Sequence, residues 1–338
     1  MIGGFFLRKA EPAPSVGTAA GYPVPVSIPM SLPGPADPDA LRPALVDALA
    51  AWAARVRADR VQVERCREVQ DPADFYAPVA ERFRFEPRRS DDAVLDALLA
   101  LARPGDRWLD IGAGGGRYAL PLALAVREVV ALDPSPAMLA TLSEGMREHG
   151  IPNVRPFEGR WPAAEPGTRG DTAFEADAVL MAHVGYDIEA IGPFLEAAES
   201  VARRRCVAVM GEGAMTTAAT LFWEPVHGEP RVVLPALPEL LTLLVARGRL
   251  PEVTLAPRTP PTFESLDGLL LMARRQLWVR PGSERDARLT EMVEAQATRR
   301  GDGWALDWSE ARIGIISWDP DRAAAASGVS RGSDPAPG

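Results

Sequence analysis

The sequence predicts an α/β fold: a doubly wound, mostly parallel seven-stranded sheet with helices on both faces, plus N-terminal helices and helical inserts that cap the site. Three observations lead there. Short apolar runs recur with helical segments between them, as in successive βαβ units. The runs are continuously rather than alternately apolar, the pattern of strands buried on both faces. A glycine-rich segment joins one such run to a helix, where parallel sheets gather their ligands.

The elements follow in order. Residues 40–67, rich in Ala, Leu, Val and Arg at helical spacing, read as one long helix or two shorter ones. Residues 74–83 read as a short helix bent near Pro78. Ser90 is expected to cap a helix through Ala102, with Val94, Leu95, Leu98, Leu99 and Leu101 as its apolar face. Trp108–Ile111 forms the first strand, followed by a helix over 119–125. Strands at 129–132, 153–157, 178–181 and 206–210 come next, with a helix over 136–149. Further on lie a helix over 237–247, a strand over 252–255, helices near 263–279 and 283–299, and a last strand at 313–318. Residues 1–38 hold prolines at a density that blocks helix, and read as a disordered arm; 321–338 read as a second loose tail. Between them, 39–103 is expected to form an N-terminal helical lid region and 104–320 the core, with inserts at about 214–235 and 260–306. Trp278, Trp304, Trp308 and Trp318 read as core or cap packing.

Composition narrows the functional classes. The 338 residues include 37 basic and 46 acidic side chains, a formal net charge of −9. That average field repels a phosphate backbone, so nucleic acid is an unlikely partner. The runs Arg88-Arg89 and Arg203-Arg204-Arg205 read as solvated helix-end charge rather than a nucleic-acid patch. No apolar run reaches the ~18 residues of a membrane-spanning helix, so no membrane partner is expected. Cys66 and Cys206 are the only cysteines and there are 3 histidines, too few for a disulfide framework or a multi-histidine metal centre. The expectation is a cytoplasmic protein without metal, monomeric or homodimeric.

The most informative segment is Asp110-Ile111-Gly112-Ala113-Gly114-Gly115-Gly116-Arg117. Glycine there lets the backbone turn sharply and approach a ligand without a Cβ in the way. A dinucleotide fingerprint needs its third glycine at position 117, which is Arg117. The spacing is instead Gly-x-Gly-x-Gly, with an acid two residues before it. A second acid, Asp133, ends the next strand about 20 residues further on, placed to accept both hydroxyls of a ribose.

On these residues the sequence resembles the class I S-adenosylmethionine-dependent methyltransferases, whose first motif is an acid-x-Gly-x-Gly-x-Gly loop. The resemblance covers roughly 75–213. It implies that the glycine loop packs against the amino-acid portion and sugar of S-adenosyl-L-methionine while Asp110 helps hold its ammonium. It further implies cofactor contacts from Asp110, Gly112, Ala113, Gly114, Gly116, Asp133, Pro134, Met138, Gly159, Arg160, Trp161, Ala182 and His183. Met138 reads equally as a core methionine. Arg160 departs from the family, many of whose members carry an acid that accepts from the adenine amino group; an arginine cannot accept a hydrogen bond. Adenine would then rest on backbone, on Trp161 or on a neighbouring acid.

Methyl transfer from a sulfonium is an in-line displacement in which the protein places the nucleophile and, where needed, removes a proton. His183, beyond the fourth strand, is the first candidate base, or else lines the cofactor site. Tyr186, a further catalytic candidate, and Asp187 stand with it at the expected mouth of the pocket. His227, in a polar and aromatic stretch holding Glu224, Glu229 and Arg231, is the second candidate, or else part of a surface loop. His149 reads as a helix-end cap. Phe75 and Tyr76 read as a lid over the cofactor or as packing. The expected function is transfer of a methyl group to a small-molecule acceptor. The alternatives are an NAD(P)-dependent oxidoreductase and a non-catalytic binder with the same fold.

Overall fold

A computed structural model describes residues 38–162, 174–213, 217–306 and 312–320. The proline-rich arm, the C-terminal tail and Trp308 lie outside the described residues.

The chain opens with helix α1 (Pro38–Cys66) and a 3-10 turn (Ala77–Phe83), then α2 (Ala93–Leu101) and β1 (Arg107–Ile111). The core continues with α3 (Ala119–Ala123), β2 (Glu128–Asp133), α4 (Pro136–His149), β3 (Val154–Glu158), β4 (Ala176–Ala182), α5 (Ile191–Val201) and β5 (Ala202–Gly211). Helices α6 (Thr217–His227) and α7 (Leu237–Ala246) lead to β6 (Glu252–Pro257). Helices α8 (Leu266–Leu277) and α9 (Glu284–Gln296) and the hairpin β7 (Ala297–Arg300) and β8 (Gly303–Leu306) precede the last strand, β9 (Arg312–Trp318).

Seven strands form one sheet in the order β3-β2-β1-β4-β5-β9-β6. Every pair from β3 to β5 is parallel, and β9 runs antiparallel between β5 and β6. The connections diverge between β1 and β4, which opens a crevice at their C-terminal ends, the place where such sheets bind ligands. Successive side chains of a strand point to opposite faces, and β1 obeys this. Trp108 joins Leu98, Leu122 and Leu142 in the core on one face, while Leu109 and Ile111 join Trp52, Phe194 and Leu240 on the other. Both layers are apolar, which is why the central strands are legible as unbroken apolar runs. Helices α6, α8 and α9 and the hairpin enclose a third core around Phe222, Leu277 and Leu289.

Local expectations fail where two polar signals compete. Asp92, not Ser90, caps α2 by accepting from Leu95 N at 3.1 Å; Asp91 takes φ 62 and turns the chain first. The helix expected over 283–299 stops at Gln296, and its last residues pair in the hairpin instead. Phe263 lies before α8, which Ser265 caps, and bridges to Trp304. Arg203–Arg205 are strand β5 rather than a helix end. Arg203 Nη2 reaches Glu175 at 2.7 Å and Arg204 Nη2 reaches Asp106 at 2.5 Å, so these arginines are tied to the sheet's own acids.

Candidate active site

Three glycines of the loop after β1 hold positive φ: Gly112 at 76°, Gly114 at 55° and Gly116 at 89°. A Cβ on Gly112 would run into Val184, and one on Gly115 would lie 2.5 Å from the Phe83 carbonyl oxygen. Gly114 differs. Its nearest obstacle is Met138 Sδ at 4.0 Å, so its bare face opens onto free space beside a buried methionine.

The loop is fixed from β2. Gly112 N and Ala113 N donate to the Leu132 carbonyl at 2.8 and 3.1 Å. Asp133 accepts from Gly114 N through Oδ2 at 2.8 Å and from Ser135 N through Oδ1 at 2.9 Å. Burial raises the Asp133 carboxyl above its usual range, against the two N–H donors that lower it. Each carboxylate oxygen keeps a lone pair for a further donor. Ser135 caps α4 by accepting from Met138 N at 3.1 Å, and its hydroxyl bonds Asp74 at 2.8 and 2.9 Å. Asp74 also accepts from Tyr76 N at 3.0 Å, so the segment before the 3-10 turn is strapped to the start of α4.

Asp110 is 1% exposed, and its Oδ1 has no hydrogen-bond partner. Burial, with Asp133 close by, pushes its carboxyl up to about 7. A carboxylate in such a place is short of a cation or donor. An ammonium group fits it.

Aromatic rings gather around the end of β3. Trp161 is half-buried, edge-on to Phe174 at 5.8 Å, and its indole N–H donates to the Phe194 carbonyl at 3.3 Å. Phe157, 46% exposed, meets Phe174 at 4.9 Å. Gly159 N donates to the Asp133 carbonyl at 3.1 Å. Arg160 and Pro134 are exposed, and Ala182 is half-buried at the end of β4.

His183 follows Ala182 in the left-handed region, φ 59, with its N–H on the Val209 carbonyl at 2.8 Å. Both ring nitrogens are buried without a partner. Burial, then Arg117 and Arg258, push its pKa down to about 4, so the imidazole is neutral at pH 7. Tyr76 comes to the crevice from the strapped segment. Its ring stands edge-on to Phe75 at 5.2 Å and Phe83 at 5.7 Å. Burial, Asp187 and Asp133 raise its hydroxyl above the usual phenol value.

Residues 109–203 match the family model of a methyltransferase domain. That stretch runs from β1 through the glycine loop, Asp133 and His183 to the start of β5. The match covers just over a quarter of the chain. Among curated proteins it is similar to the 23S rRNA (uracil(1939)-C(5))-methyltransferase of Xanthomonas campestris pv. campestris, 39% identical over 63 residues, 18% of this chain and 14% of that one. The enzyme of that name from Xanthomonas oryzae pv. oryzae is 36% identical over 63 residues, with the same shares. The matched stretch thus spans about a seventh of these relatives' length. Among solved structures the chain is similar to the YcgJ protein of Bacillus subtilis, with 18% identity and TM-score 0.46 over 68% of this chain and 98% of that one. It is similar also to a Geobacter sulfurreducens S-adenosylmethionine-dependent methyltransferase in complex with S-adenosyl-L-homocysteine, with 18% identity and TM-score 0.45 over 74% and 98%.

Two expected site residues have other employment. Tyr186 is buried rather than at the mouth. Its hydroxyl accepts from Gly211 N at 2.8 Å, and burial pushes its pKa up to about 12, so it ties the turn after β4 to the end of β5. His227 ends α6 instead of lying in a loop. It packs on Trp223 at 4.2 Å with Nε2 on the Leu277 carbonyl at 3.0 Å. The polar residues around it turn to α1: Glu229 bonds Arg65 and Gln62, and Arg231 pairs with Asp59. His149, as expected, ends a helix, just before Gly150 at φ 64. Asp74, which holds Ser135, escaped the sequence reading.

Among the described residues, no group of three or more His, Cys, Asp and Glu side chains is placed to hold a metal ion, and no helix is long and apolar enough to cross a membrane.

Proposed function

We propose that the protein transfers a methyl group from S-adenosyl-L-methionine to a small-molecule acceptor seated beyond the ends of β4 and β5. The observation that carries this reading is the unpartnered, buried Asp110 oxygen beside a glycine loop whose Gly114 opens onto free space. Asp110 would receive the amino-acid ammonium, and Asp133 the ribose through its remaining lone pairs. Met138, Gly159 and Trp161 would border the adenine. With its indole N–H engaged, Trp161 would offer a ring surface rather than a donor. Arg160, exposed, leaves adenine recognition to backbone. When bound, the cofactor supplies a methyl made electrophilic by the sulfonium. His183, neutral and unpartnered, would accept a hydrogen bond from the acceptor's hydroxyl or amine and orient its lone pair. A base with pKa of about 4 removes little proton density at pH 7, so orientation rather than deprotonation is its part.

The similarity to rRNA methyltransferases supports a second reading, an RNA acceptor. The net charge of −9 and the ties of Arg203–Arg205 to acids speak for the small molecule. Calorimetric titration with S-adenosyl-L-methionine, S-adenosyl-L-homocysteine and NAD(H) tests the cofactor. Micromolar binding of the first two alone is expected. Tight NAD(H) binding would turn the reading to an oxidoreductase, and silence from all three to a non-catalytic fold. Transfer of labelled methyl to total RNA, rather than to a small-molecule extract, would replace the acceptor class.

A further inference from the structure

Several buried polar atoms without a hydrogen-bond partner gather around the ring of Tyr118. Tyr118 is 3% exposed, and its hydroxyl has no partner among the described residues. The His183 ring lies 6.2 Å from the Tyr118 ring, with both nitrogens buried and unpartnered. The Arg117 guanidinium carbon stands 5.2 Å from the centre of the same ring and 4.9 Å from that of Phe85. The Arg89 guanidinium carbon is 5.9 Å and 5.6 Å from those two centres. Arg117 Nε and Arg89 Nη2 are likewise buried and unpartnered. The segment before α2, the start of α3 and the end of β4 each bring a part of this cluster.

Asp92, the carboxylate beside the two arginines, is already engaged. Its Oδ1 accepts from Leu95 N at 3.1 Å, and its Oδ2 takes Arg89 Nε at 3.0 Å with Arg117 Nη2 at 3.7 Å. Two guanidiniums against that one carboxylate leave a single positive charge. Burial keeps His183 neutral and Tyr118 a phenol, so the imidazole supplies one N–H and one lone pair, and the hydroxyl a donor. What stands unfilled is therefore mostly donor: Arg89 Nη2, Arg117 Nε, the Tyr118 hydroxyl and one His183 N–H, against the other His183 nitrogen. Buried donors without acceptors destabilise the fold that holds them, so a group rich in lone pairs is favoured there. A carboxylate brings one negative charge and about four lone pairs on two oxygens, and its planar shape matches a guanidinium. A phosphate monoester brings more charge than the corner leaves unpaired. Arg117, its side chain 38% exposed, is where the corner meets solvent.

We infer that Arg89, Arg117, Tyr118 and His183 form a binding site for a carboxylate group, with Arg117 as its accessible cation. The carboxylate comes from the methyl acceptor or from the amino-acid end of the cofactor, since Tyr118 stands two residues past the glycine loop and His183 one past β4. The choice between these sources rests on the methyltransferase reading; the site itself does not. Benzoate, phenyl phosphate and neutral benzamide are titrated into the full chain, free and saturated with S-adenosyl-L-homocysteine. S-adenosyl-L-homocysteine is also compared with its methyl ester, which keeps the ammonium and loses the carboxylate. If the acceptor is the source, benzoate should bind the saturated chain about 10-fold or more tightly than benzamide. If the cofactor is the source, the methyl ester should bind about 10-fold or more weakly than the acid, and benzoate should bind the free chain only. In either case Arg117→Gln, and Tyr118→Phe with its ring retained, should cut the preference for the carboxylate about 5-fold or more, and Arg117→Lys should keep part of it. No preference for the carboxylate in any arm, tighter binding of phenyl phosphate than of benzoate, or a preference untouched by Arg117→Gln or by Tyr118→Phe would overturn the proposal. Failure of the wild-type chain to bind S-adenosyl-L-homocysteine would instead overturn the methyltransferase reading, while preference of the free chain for benzoate over benzamide would still be expected.

Discussion

An ionised carboxylate sealed into an apolar sheet with one oxygen unpartnered destabilises the fold that contains it, and Asp110 is such a group. Its pKa of about 7 in the folded chain, against 3.8 for an ordinary aspartate, means that the folded state holds the proton more tightly than the unfolded chain. Stability of the ligand-free protein therefore falls as pH rises from about 4 to about 7 on account of this residue, and stays lowered above. A bound ammonium reverses the sign by favouring the charged form. Asp110→Asn should accordingly raise the melting temperature of the ligand-free protein at pH 8. It should also cost about 1.5 to 3 kcal/mol of S-adenosyl-L-homocysteine affinity, the range of a charge-assisted hydrogen bond. Thermal denaturation with and without that ligand checks both, and a variant less stable yet equally tight in binding would make Asp110 purely structural. Both loop acids are legible in the sequence because their spacing from the glycines is local. The reassignment of Tyr186 is not, because its partner, Gly211 N at the end of β5, is brought to it only by the pairing of β4 with β5.

At the scale of elements, the segment before the 3-10 turn is fastened to the core through the Asp74–Ser135 pair, and it is this segment that carries Phe75 and Tyr76 over the crevice. Asp74 is half-buried against the buried Ser135, and since one hydrogen bond contributes about 0.5 to 1.5 kcal/mol net, its main effect should be on mobility. Asp74→Ala should increase amide exchange over 70–83 and speed S-adenosyl-L-homocysteine dissociation several-fold, with the melting temperature lowered by no more than a few degrees. Exchange and stopped-flow release measure this, and unaltered release would leave the strap without a role in retention. The central strands were readable because β1, β2 and β4 are buried on both faces and so have no alternating polar side to confuse them. Where a strand carries charge the reading fails for a physical reason. The stems of Arg203–Arg205 pass along the sheet while their heads reach Glu175, Asp106 and Glu252, and a run of three arginines looks like a solvated helix end. The β7–β8 hairpin was hidden likewise, because Ala297 and its neighbours continue a good helical composition and only the pairing with Gly303–Leu306 ends the helix.

For the whole molecule, pH sets buried acids and buried imidazoles against one another. His183 and His227 both have pKa values pushed down to about 4, chiefly by burial, from 6.5. Between those limits the unfolded chain binds their protons and the folded chain does not, so stability is lost as pH falls from about 6.5 toward 4. Each fully responding histidine contributes a slope of up to about 1.4 kcal/mol per pH unit, less for the half-buried His227. Asp110 works the other way over much of the same window, gaining stability as pH falls below 7. The ligand-free protein should therefore show a shallow pH dependence there. With S-adenosyl-L-homocysteine bound, Asp110 is held ionised and its gain is lost, so the complex should lose stability more steeply on acidification than the free protein. Affinity for the ligand should weaken correspondingly below pH 7. Urea midpoints measured from pH 7 to 4.5, free and liganded, give both slopes. The double variant His183→Gln, His227→Gln should flatten the decline in the liganded protein and leave the free protein more stable at pH 4.5 relative to pH 7. Parallel slopes with and without ligand would remove Asp110 from the ammonium site, whereas an unchanged slope in the double variant would mean that other groups govern the acid response.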